Sequence, residues 1–213
     1  MNEKLQESAQ YIKYCSIIEN ETFKLYEAFS KKINQPENNF ILGLAYDSLK
    51  NSKIIQAMLD SLDQIEMENK NDKKNLLELT AEIKNLTKKI SKINNMNYVI
   101  SYEFLKEFIN LEDLLSEIYA NYLQSSGTKV LVDELSKAVT VNFGNFKKVF
   151  ENFVEEKGKH RETLIEIIYC LEAKETEIHR QITPTVKYQN PSAWNHESTL
   201  HAFSTAPMKE NSQ

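Results

Sequence analysis

A long helical stripe that is apolar except for a lysine and a histidine at its centre restricts what can surround it, and residues 143–171 form such a stripe. Phe143, Phe146, Phe150, Phe153, Lys157, His160, Leu164, Ile167 and Leu171 advance in steps of three and four, the spacing of one helix face. An unpartnered ammonium in an apolar core is prohibitively costly, so other segments must bring acceptors to the same height. The rest of the chain offers them.

The first segment, Lys4 to Ile33, carries the stripe Leu5, Ile12, Glu19, Tyr26 and Ile33, flanked by Ala9, Thr22 and Phe29. It should end before Gln35-Pro36, because the residue preceding a proline avoids the helical region. A second helix is expected over Glu37–Glu66, with Ile41, Leu44, Ser48, Asn51, Ile55, Met58, Leu62 and Ile65 on one face. A third main helix, Asn97 to Gln124, places Tyr98, Leu105, Glu112 and Tyr119 in line, beside Phe108, Leu115 and Tyr122. Between the second and third lies a further amphipathic stripe, Leu76 to Ile93, which reads as a helical connection. Val130–Val141 is expected to lead into the fourth helix, with Gly144 as a kink and an end near Ile178. With 4 Gly and 4 Pro, the chain has little material for turns, which favours long helices.

Two pairs of stretches line up as an internal repeat. Ile18–Phe29 matches Leu111–Tyr122: a glutamate, a tyrosine seven residues later, and an aromatic three further. Ala45–Ile55 matches Val154–Leu164, with polar residues at i and i+3. The fold expected is therefore all-α, an antiparallel four-helix bundle made of two helix pairs, with one polar layer at mid-height. That layer would hold Glu19, Ser48, Asn51, Glu112, Lys157 and His160, with the hydroxyls of Tyr26 and Tyr119 bonding into it.

The chain of 213 residues suits one domain with an extension. The expected division is a bundle over 1–182 and a C-terminal arm or tail over 183–213. The latter holds most of the prolines, the single Trp194, and the apolar Tyr188, Leu200 and Phe203. The arm near Trp194 is the expected docking element, in cis or for a homodimer. His196 and His201 are spaced poorly for a shared face and read as solvated. A net charge of −5 argues against a nucleic-acid backbone as partner. No apolar run predicts a membrane span, and the polar N-terminus is unlike a signal peptide, so the expected location is cytoplasmic. Cys15 and Cys170 fall too far apart along the expected bundle for a disulfide and are expected as buried thiols.

The pattern resembles the rubrerythrin-like branch of the ferritin-like superfamily. Glu19 with Tyr26, and Glu112 with Tyr119, look like the glutamates of its first and third helices. Ala45-Tyr46-Asp47-Ser48-Leu49-Lys50-Asn51 and Val154-Glu155-Glu156-Lys157-Gly158-Lys159-His160 look like its Glu-x-x-His helices. The resemblance implies a ferritin-like bundle with a long helical crossover between helices two and three, and a di-iron centre. Three ligand positions are altered: Ser48 and Lys157 stand for glutamates, and Asn51 for a histidine. The expectation is thus a non-catalytic bundle protein with a structural or interaction role and no cofactor. Lys157 would pair with Glu19 and Glu112 in place of metal, and Ser48 and Asn51 would complete the hydrogen bonds. The alternative is a metal-dependent oxidase or iron-handling protein with iron, manganese or zinc on Glu19, Glu112 and His160.

Overall fold

The computed structural model describes residues 3–61, 74–94, 96–125, 127, 129–131, 133 and 146–182, with backbone alone at 146 and 178–182. It is all helical, without a strand among the described residues. Among the described residues five long helices carry the fold: α1 (Glu3–Ser30), α2 (Glu37–Asp60), α3 (Lys74–Lys92), α4 (Tyr98–Gln124) and α5 (Phe146–Ile182). Chain contacts divide it into Met1–Thr176 and Glu177–Gln213, and everything described below lies in the first unit.

Local chemistry accounts for several helix ends. Asn97 has extended backbone and its side chain accepts from the Ile100 amide at 2.9 Å, so it caps α4, which starts at Tyr98, the first residue of its stripe. α1 ends at Ser30, before the turn that contains Gln35-Pro36. Glu37 sits in the first turn of α2, where the helix dipole favours a carboxylate, and Lys174 of α5 reaches both of its oxygens at 2.6 and 2.8 Å. The expected extension of α2 to Glu66, with Leu62 and Ile65, lies outside the described residues, as do Gly144 and the whole arm with Trp194, His196 and His201. Of the lead-in, Val130, Leu131 and Asp133 are described and helical.

Side-chain pairs give the helix directions. Ser8 meets Tyr122, Tyr11 meets Ile118 and Tyr26 meets Glu112, so α1 and α4 run antiparallel. Ser16 pairs with Ser52 and Phe23 with Tyr46, so α1 and α2 also run antiparallel. On the other side, Glu37 meets Lys174, Asp47 meets His160 and Asn51 meets Glu156, which sets α2 against α5. Glu112 faces His160 and Tyr122 faces Phe150, which sets α4 against α5. Helix α3 packs on α1, with the Lys32 ammonium donating to the Ile93 carbonyl at 2.8 Å.

Two apolar clusters fill the interior. One gathers Tyr26, Phe29, Ile41, Leu105, Phe108, Leu164 and Ile167, and the other Ile12, Cys15, Ile55, Tyr119, Phe150 and Phe153. The polar layer lies between them along the stripes. Cys170 corrects an expectation: it is exposed, because it falls off the buried face of α5, whereas Cys15 is buried.

Candidate functional site

Glu19, Ser48, Asn51, Glu112 and Lys157 are each 0% exposed and His160 2%, so the polar positions of four separate helices are all interior. In each case the helical stripe forces this. Glu19 lies seven residues from both Ile12 and Tyr26, and Lys157 lies between Phe153 and Leu164, so these side chains cannot turn outward while their neighbours stay buried.

At the centre is the Lys157 ammonium. Its Nζ is 3.0 Å from each oxygen of Glu19 and 3.5 Å from Glu112 Oε2. Burial works against the charge on Lys157, but Glu112 and Glu19 outweigh it and hold the lysine above its ordinary range. Burial likewise opposes ionisation of Glu112. Lys157, His160 and Tyr26 prevail and hold its carboxyl below the usual value.

The tyrosines cross over. The Tyr119 hydroxyl donates to Glu19 Oε1 at 2.6 Å and the Tyr26 hydroxyl donates to Glu112 Oε1 at 2.5 Å. Each half of the repeat thus supplies the phenol for the other half's carboxylate. Burial first, and then the facing glutamates, push both phenols well above their ordinary range, so they stay donors.

Two expected roles are corrected. Asn51 does not serve the glutamates of the layer: its Nδ2 donates outward to Glu156 Oε2 at 2.9 Å. Ser48 Oγ and Asn51 Oδ1 have no hydrogen-bond partner among the described residues.

His160 joins the buried layer to its rim. Its Nδ1 is 3.4 Å from Glu112 Oε1, and its Nε2 is 3.3 Å from Asp47 Oδ2. Asp47, Glu156 and Lys50 were not singled out from the sequence. Lys50 Nζ reaches Asp47 at 3.1 Å and Glu156 at 2.5 Å. Burial tends to raise the Asp47 carboxyl, but Lys50 and then His160 hold it below its ordinary value. The only sequence signal was that Asp47 and Glu156 each directly precede a layer residue, so both fall at the edge of the buried face.

The residues can be compared with what a di-iron centre needs. Such a centre uses a glutamate from each of two helices and a Glu-x-x-His from each of the others. Here one of those carboxylate positions is an ammonium in contact with the two glutamates that remain. A divalent ion on Glu19 and Glu112 would share its ligands with a fixed positive charge about one ligand length away. The donor set does not fit the group. Compared with known families, curated proteins and solved structures, the chain matches none of them.

Proposed function

We propose that this chain is a non-catalytic bundle protein of ferritin-like architecture, with a structural or protein-interaction role and a Lys–Glu network in place of the metal centre. The observation that carries this reading is the Lys157 ammonium within 3.0 Å of both Glu19 oxygens, with both side chains fully buried. The architecture proposed is a four-helix bundle of α1, α2, α4 and α5 in which α3 is the crossover. It is supported by the directions of the pairs above. Helix α1 opposes α2 and α4, both of which oppose α5, so α2 and α4 are parallel and need a connection spanning the bundle. Helix α3 has that length and packs on α1.

Each Glu-x-x-His motif of the resemblance is altered where chemistry would need it, and the buried negative charge that remains is partly offset from within by Lys157. Two carboxylates, one ammonium and two phenols make a layer that fixes helix register, since a shift of one turn would separate every pair at once. An assembly role through 183–213 near Trp194, with a second copy or another protein, belongs to the same proposal.

The test is aerobic Fe(II) oxidation by the untagged protein. The rate should match that of Fe(II) in buffer. Turnover lost on Glu19→Ala and on Glu112→Ala would overturn the proposal and restore an oxidase working at Glu19, Glu112 and His160.

A further inference from the structure

We infer that Asp47, Glu156 and His160 form a site for a single first-row divalent cation at the rim of the buried layer. Their ligand atoms all lie within 4.8 Å of one another, on two helices, with Asp47 and Glu156 one residue before the layer positions Ser48 and Lys157 and His160 in the layer itself. Two carboxylates and one imidazole suit zinc, manganese or ferrous iron, with remaining positions open to water. The inference does not depend on the reading of the core, because it uses neither Glu19 nor Lys157.

Three observations converge on a cation here. First, both ring nitrogens of His160 face carboxylate oxygens, Nδ1 toward Glu112 and Nε2 toward Asp47. With Nδ1 turned to the buried Glu112, Nε2 is the ring nitrogen presented at the rim, where a metal ion between it and Asp47 would be held by both. A carboxylate holding the far nitrogen of a histidine ligand is the usual support for such a metal.

Second, Glu156 and His160 are i and i+4 on α5, so both present to Asp47 across the α2–α5 contact. Third, Asn51 holds Glu156 in place through Nδ2, while its own Oδ1, buried in the same amide group, has no hydrogen-bond partner among the described residues. An acceptor left over beside two carboxylates and a ring nitrogen is a site short of positive charge.

Lys50 partly answers that need. Its ammonium bridges Asp47 and Glu156 from a half-exposed side chain. A half-exposed ammonium of this kind holds its carboxylates weakly, so a divalent ion that also gains His160 displaces it. The exposed carboxylate of Asp47 can close the spread of ligand atoms by a change of rotamer, drawing in by about 1 Å to reach metal–ligand distances near 2.1 Å.

The experiment uses untagged full-length protein stripped with a chelator. It is titrated with Zn(II) and Mn(II) by calorimetry, and with Co(II) for its visible bands. One equivalent per chain is expected. Asp47→Asn and Glu156→Gln, both at the edge of the surface, should each weaken binding by more than about tenfold. Lys50→Ala should tighten it about two- to fivefold by removing the competitor. Glu155→Gln, exposed and turned away toward Lys159, should leave it unchanged. Absence of stoichiometric binding, or binding indifferent to Asp47→Asn and Glu156→Gln, would overturn the inference and leave the core reading standing. Binding lost instead on Glu19→Gln would place the ion in the core and sink both.

Discussion

Lys157→Met lowers the unfolding free energy by about 3–5 kcal/mol at neutral pH, measured by denaturant titration. Methionine keeps most of the volume, so a packing defect is a minor part of this. The loss arises because two carboxylates at 0% exposure are left facing each other's field without a cation. Neither can reach water without opening the helix stripe that buries Tyr26, Tyr119, Phe108 and Phe153 around them. The same substitution at Lys50 removes a cation with two carboxylate contacts as short as these. It should cost no more than about 1 kcal/mol, because that lysine is half exposed and its partners are rehydrated at once. Similar contacts with different burial should thus give a several-fold difference in effect. A Lys157→Met chain as stable as the native one would remove the ion pair from any account of this core.

The second large effect is a steep alkaline limb. Lys157, Tyr26 and Tyr119 all hold their protons more tightly folded than unfolded. Their contribution is fully present below the unfolded values, about 10 for tyrosine and about 10.4 for lysine. It is lost as pH rises from there toward the folded values. While the unfolded chain has released these three protons and the folded chain has kept them, stability falls by about 4 kcal/mol per pH unit. That slope depends on the number of protons and not on the size of each shift. Tyr11, pushed up by burial and then by Cys15, adds to it.

Phenylalanine at both Tyr26 and Tyr119 should reduce the slope by about 3 kcal/mol per pH unit. An unchanged slope in that variant would show that the phenols do not hold the glutamates. On the acid side Glu112 is depressed, so its contribution is present above the ordinary carboxylate value and fades as pH falls below it. Glu112 alone gives a limb of about 1.4 kcal/mol per unit, to which Asp47, also held low but more open to solvent, adds a screened part; the limb stays shallower than the alkaline one.

The helices and their buried faces were legible because period and burial coincide. Ile41, Leu44, Ser48, Asn51, Ile55 and Met58 are all interior, as their spacing requires. Helix bounds differed where a cap decided them, as at Asn97. What the stripe does not encode is the pairing between helices. The Tyr26 and Tyr119 hydroxyls do bond into the layer, but the period does not say which glutamate each meets: each phenol bonds to the other half, because residues seven apart lie two turns away along the axis. Asn51 is a similar case: its depth could be read from the period, but its direction, toward Glu156, depends on the α2–α5 approach. The rim residues Asp47 and Glu156, which face His160, were missed because both sit one step off the apolar stripe, where charged residues are ordinarily solvated.

The measurement that bears most directly on the central claim is a mutant cycle on the buried charges. Stability is compared for the native chain, Lys157→Met, the pair Glu19→Gln with Glu112→Gln, and all three together. If the lysine serves the carboxylates, Lys157→Met costs far less in the glutamine background, with a coupling of at least about 2 kcal/mol, and the triple variant outlasts the glutamine pair. Equal cost in both backgrounds would mean that Lys157 acts through its alkyl chain alone, and the charge-replacement account would fail.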